Sequence, residues 1–167
     1  GTLVEIEYSG MIMETYPGKL YEPETLRVVG REDSVTGLYK NVFNDLYNTD
    51  PALNSDILMI AFDFTNVENM DDAEKEIFCW EISEEYGLEV VESTFDELCD
   101  EGYIDSENLY FEDGILVTLS DSEIDNGSFE FDIDKWRSGV GAYFLNNCVA
   151  EKSEDGWSYK VGSMAIS

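Results

Sequence analysis

The sequence contains no histidine. That removes Ser-His and Cys-His catalysis and the usual imidazole metal sites. Basic residues are scarce: nine Lys and Arg stand against 38 Asp and Glu, for a net charge of −29. Such a surface repels nucleic acid and anionic lipid and favours cations or basic partners. Scattered acids are most often solvated faces that keep a chain soluble, so charge alone names no ligand. Cysteine is sparse too. Cys79, Cys99 and Cys148 are far apart with no Cys-x-x-Cys among them, so neither a zinc site nor a thioredoxin-type site is indicated. One disulfide fits three cysteines, and the spacing does not select its pair. No apolar run reaches the length of a membrane-spanning helix, and no signal peptide is visible. The chain begins with Gly1 instead of methionine, as expected where a signal or lipoprotein leader has been trimmed away.

What is present is enough apolar material for a core. At 43% hydrophobic and 13% aromatic, the chain is expected to fold despite its charge. Its length suits one domain over residues 1–167, with residues 126–167 a candidate appended hairpin layer.

The longest nearly uninterrupted apolar run, Asp56–Asn66, reads as the central strand. Leu58, Ile60, Phe62 and Phe64 share one face, and Ile57, Met59, Ala61 and Asp63 share the other. Phe78, Trp80 and Ile82 alternate in the same way, which predicts a second strand over Ile77–Ser83 and a core position for Trp80. Cys79 then faces away from them. Before the central strand, Thr2–Tyr8, Met11–Tyr16 and Thr25–Val29 read as strands, with a turn at Pro17-Gly18. Leu38/Tyr39, Val42/Phe43 and Leu46/Tyr47 recur every four residues, which predicts a short amphipathic helix over Ser34–Asn48. Thr94-Phe-Asp-Glu97 matches a capping box and predicts a helical turn to about Asp100.

The C-terminal half carries hairpin signals. Asp113-Gly114, Asn126-Gly127 and Asp155-Gly156 accept the positive φ angles of tight turns. Phe129, Phe131 and Ile133 alternate with Glu130, Asp132 and Asp134, giving one dry and one acidic face. Many short strands with few helix signals imply a mainly β fold, an antiparallel sandwich with one or two short helices.

The segments Ile60-Ala-Phe-Asp-Phe-Thr-Asn66, Phe78–Ile82 and Tyr86-Gly-Leu-Glu-Val-Val91 resemble a family of immunoglobulin-like (telokin-like) domains of unknown function. These occur in secreted proteins and lipoproteins of Gram-positive gut bacteria. The resemblance covers about residues 56–119. It implies an immunoglobulin-like β-sandwich outside the cytoplasm, and it brings no catalytic residue with it.

Among candidate site residues, Asp121, Glu123 and Asp125 alternate before Asn126-Gly127, with Asp132 beyond, and such oxygens suit Ca²⁺. The match to a calcium loop is incomplete. Asn126 stands where an EF-hand has its glycine, and Asp132 where it has a bidentate Glu. A solvated hairpin is the favoured reading. Glu68, Asp71 and Asp72 form a second acidic group. Trp136, set among charges in Asp-Lys-Trp-Arg, is the tryptophan expected at the surface, where a ring can meet a sugar or peptide. Some carboxylate pair will lie at hydrolytic spacing in any chain this acidic, so abundance is no sign of a glycosidase. No nucleophile motif or phosphate loop is present. The leading expectation is a non-enzymatic, extracytoplasmic binding or adhesion-type domain whose partner is a protein or cell-surface polymer. A Ca²⁺-dependent carbohydrate-binding module and a carboxylate-based hydrolase are the alternatives.

Overall fold

The computed structural model describes residues 2–8, 10, 12–13, 19–20, 23–31 and 34–167. They divide into two units, Gly1–Ser34 and Val35–Ser167. In the first, β1 (Thr2–Tyr8) pairs antiparallel with β4 (Pro23–Arg31), and β2 (Ile12–Met13) with β3 (Lys19–Leu20). The register sets Ile6 opposite Leu26, and Glu7 accepts a 2.9 Å hydrogen bond from the Thr25 hydroxyl. The expected turn at Pro17-Gly18 lies outside the described residues.

The second unit opens with α1 (Val35–Asn48) and a 3₁₀ turn at Pro51–Asn54. Then follow β5 (Met59–Asn66), α2 (Asp72–Tyr86), β6 (Glu89–Glu92), α3 (Phe95–Asp100), β7 (Ile104–Asp105) and β8 (Tyr110–Phe111). The chain ends with β9 (Gly114–Asp121), β10 (Ser128–Ser138), β11 (Gly141–Ser153), β12 (Gly156–Lys160) and β13 (Ser163–Ile166). These strands form one nine-stranded sheet whose main path is β12-β11-β10-β9-β5-β6. The segment from residue 126 onward continues this sheet, because β10 pairs along β9.

The central strand is as expected from Met59 on. Ile60, Phe62 and Phe64 enter the main core with Tyr39, Val42, Phe43 and Leu46 of α1. Met59 and Ala61, on the other face, enter a second core with Leu98 of α3, Phe111 and Leu116. Leu58 departs from its expected place. It precedes the strand, beside Asp56 at φ 57°, and is 66% exposed.

Three expectations need correction. The sheet is mixed, not antiparallel: β5 runs parallel to both β6 and β9. Parallel neighbours need crossovers, which α2 and α3 provide. Helices α1 and α2 therefore pack on the sheet face where a sandwich would place a second sheet. Next, Ile77–Ser83 is helix. Asp71 caps α2 by accepting from the Glu74 amide at 2.9 Å, while the Glu74 carboxylate accepts from the Asp71 amide at 3.0 Å. Phe78 and Ile82, one turn apart, face the core, and Trp80 is left exposed. Finally, Asp113-Gly114 is not a hairpin turn, since β8 pairs with β7 and β10. Gly114 is needed for close approach: a Cβ there would stand 2.3 Å from the Phe111 ring. The other two turn signals hold, with φ of 50° at Asn126, 78° at Gly127 and 106° at Gly156. Thr94 caps α3 through the expected box with Glu97.

Candidate functional site

Chain order reverses at β5. The chain passes through α2 to β6 on one side, then through α3 to β9 on the other. The two helices pack on opposite sheet faces, α2 in the main core and α3 in the second. In sheets of parallel strands, a crevice opens beyond the carboxyl ends at such a reversal, and ligands bind there. A depression of about 370 Å³ lies in that position, lined by Phe62, Asp63, Phe64, Thr65, Glu92, Ser93, Thr94 and Glu97. Glu97 is held by the α3 cap. Its carboxylate accepts from the Thr94 amide and hydroxyl, both at 2.9 Å, and these bonds lower its pKa.

Asp63 links this depression to the open half of the sheet. Strand pairing puts Asp63 beside Thr118 of β9, and Thr118 beside Asp134 of β10. The second core covers this face near Met59, Ala61, Val91, Phe111, Leu116 and Trp136. Burial, then the charges of Asp63 and Asp132, push the Asp134 carboxyl up to about 6, against a hydrogen bond with Thr118. A half-buried carboxylate among carboxylates is an unfavourable arrangement for stability, and such groups cluster at functional sites.

The basic residues that share these strands are engaged elsewhere. Lys135 is fully buried and donates to the carbonyls of Tyr47, Thr49 and Asp50 and to Asn54 Oδ1, at 2.7–3.3 Å. It supplies the cation that the last turn of α1 lacks. Burial lowers its pKa to about 8, with the Asp50 charge opposing. Arg137 donates to the carbonyls of Leu53, Ser55 and Glu112. Among the described residues, ion pairs join Lys40 to Glu81 and Glu85, and Lys160 to Glu151. None of them reaches Asp63, Asp132 or Asp134.

The residues expected at a calcium site are only partly brought together. Asp121 and Asp132 line a depression of about 210 Å³ with Ser120, Ser122, Glu130, Phe131 and Asn147, and Glu123 and Asp125 are not part of it. Asp121 is already occupied. It accepts from the Tyr39 hydroxyl and from the Glu68 and Asn69 amides, the last two at 2.6 and 3.3 Å. Burial first and Asp121 second hold the Tyr39 phenol far above its ordinary value. Asp132 accepts from the Asn147 amide at 2.6 Å. No group of three His, Cys, Asp or Glu among the described residues is arranged to hold a metal ion. Of the second acidic group, Asp71 is the cap of α2.

Trp136 is not the exposed tryptophan. It is half-buried in the second core, with its ring 5.3 Å from Phe95 in an edge-on contact. Trp80, expected in the core, is 62% exposed. The three cysteines are free thiols. Burial pushes Cys79 up to about 12, which leaves it protonated and unreactive at neutral pH.

The set Asp63–Thr118–Asp134 was not evident as a group in the sequence: Asp134 stood on an acidic strand face, but Asp63 shared its face with Ile57, Met59 and Ala61. Only the pairing through β9 unites them. Comparison with family models, curated proteins and solved structures finds no match to this chain.

Proposed function

We propose that this chain is a non-enzymatic binding domain that receives a basic segment of a protein partner on the acidic face around Asp63 and Asp134. The observation that carries this is the Asp134 carboxyl, raised to about 6 beside Asp63 and Asp132 with no described lysine or arginine paired to it. An arriving ammonium or guanidinium group supplies the missing counter-charge. The net charge of −29 steers such a partner towards the domain. A location outside the cytoplasm, and kinship with immunoglobulin-like sandwich domains, rest on the resemblance of residues 56–119. Calorimetric titration with a ten-residue lysine peptide at low and high salt tests the binding. Saturable binding that weakens steeply with salt supports it, and no heat at low salt refutes it.

One observation also favours a second reading, a carboxylate-based hydrolase. A carboxyl near 6 beside a second carboxylate is the arrangement general acid catalysis uses. Turnover of a panel of chromogenic glycosides, lost on Asp134→Asn, would select this reading over the first.

A further inference from the structure

Helix α2 is apolar on two opposite sides. Phe78 and Ile82 are buried in the main core. On the far side Ala73, Ile77 and Trp80 follow one another at helical spacing, all exposed, with Ile77 at 53% and Trp80 at 62%. Exposed isoleucine and tryptophan side by side on one helix face are not needed for solubility or for this fold. A helix apolar on both sides is ordinarily covered on both sides, and a large exposed apolar patch rimmed by polar groups marks an interaction surface.

The surroundings of the stripe say what covers it. Glu76 and Glu81 flank it on either side, and Glu84 closes its end. The last turn of α2 carries no basic residue. Lys40 of α1 is already paired with Glu81 and Glu85 at 3.3 and 3.2 Å. A second copy of the chain brings the same charge of −29 and is repelled. A complementary occupant is apolar along its centre and basic along its edges. Because the stripe runs along a helix axis with spacings of three and four residues, another helix meets it ridge against groove.

We infer that the outer face of α2 is a docking surface for a basic amphipathic helix of a partner protein, with Trp80 as its main anchor. The surface is distinct from the face around Asp63 and Asp134, so either proposal can fail alone.

The test uses the full chain and a synthetic helical peptide of leucine and lysine. A peptide of identical composition, with its order scrambled to destroy the apolar stripe, is the control. Trp80 is the most exposed tryptophan, so its emission should shift to the blue on docking, and calorimetry reads the affinity of every variant because Trp80→Ser removes this reporter. The helical peptide should bind clearly tighter than the scrambled one. Trp80→Ser should weaken it roughly thirtyfold, as truncation of an anchoring interface tryptophan does, and Ile77→Ser should weaken it in the same direction. Val140→Ser, which changes another exposed apolar residue, should leave binding unchanged. Both α2 variants alter surface residues and should keep the wild-type melting temperature. Equal binding of the scrambled peptide would mean charge alone attracts it, and would overturn the proposal. So would binding indifferent to Trp80→Ser, or a wild-type self-association that Trp80→Ser abolishes, since the occupant would then be a second copy.

Discussion

The Lys135 ammonium lies 2.7 Å from the carbonyl oxygen of Thr49, and this contact ties the middle of β10 to the end of α1. Lys135 falls in step with Phe129, Phe131 and Ile133, on the dry side of its strand. The charge is met there by carbonyls at and just beyond the end of α1, whose last turn has no basic residue of its own.

Lys135→Met is therefore expected to destabilise the fold by about 1 kcal/mol: the bond to the Thr49 carbonyl is lost, while the Tyr47 and Asp50 carbonyls keep Asn54 Nδ2 and the Leu53 amide and the cost of burying the charge is relieved. Urea unfolding followed by circular dichroism measures this. An unchanged midpoint would show that the ammonium contributes nothing to the end of α1.

The neighbouring residue has the opposite effect. Asp134 carries a folded-state pKa of about 6, above its ordinary value of 3.8. The folded state thus holds this proton more tightly than the unfolded chain. Stability from this group is fully present below about pH 4 and is lost as pH rises through 6. Asp134→Asn removes the charge, so at pH 7–8 it should stabilise the protein by about 1–2 kcal/mol, after a discount for solvent screening. At pH 3.5 the gain should vanish. Thermal melts of both proteins across pH 3.5–8 check the sign, and a variant less stable than wild type at neutral pH would contradict the assignment.

Asp121 has a structural task, so its loss should be felt whether or not calcium is present. Asp121→Ala removes the acceptor for Tyr39, Glu68 and Asn69, which joins β9 to α1 and to the loop before α2. A drop of about 2 kcal/mol is expected. Added Ca²⁺ should raise the wild-type melting temperature no more than a monovalent salt of equal ionic strength, because only screening is at work. A calcium-specific rise, lost in Asp121→Ala, would establish a cation site instead.

Much of the fold was legible from local patterns, and the failures have physical causes. The four-residue recurrence in α1, the capping box of α3 and the turns at Asn126-Gly127 and Asp155-Gly156 were readable because each is written in adjacent residues. Helix α2 was misread because it is apolar on two sides, so Phe78, Trp80 and Ile82 alternate as a strand does. That misreading placed Trp80 in the core and a strand where α2 runs. Parallel pairing leaves no local mark, because β5 and β9 are united across two helices. The candidate site suffered most, since Asp63 and Asp134 meet only through that pairing. Lys135 did leave a sign: a lysine in phase with three buried apolar residues announces a charge that the core must satisfy.

Binding of the ten-residue lysine peptide to wild type, to Asp63→Asn/Asp134→Asn and to Glu107→Gln/Glu154→Gln tests the proposed function most directly. Both variants remove two negative charges, but Glu107 and Glu154 are exposed at other places on the domain. A specific acidic face predicts at least tenfold weaker binding for the first variant, about 1.4 kcal/mol, and near wild-type binding for the second. Equal weakening in both would mean that the charge of −29 acts as a diffuse field, and the face around Asp63 and Asp134 would not be the binding site.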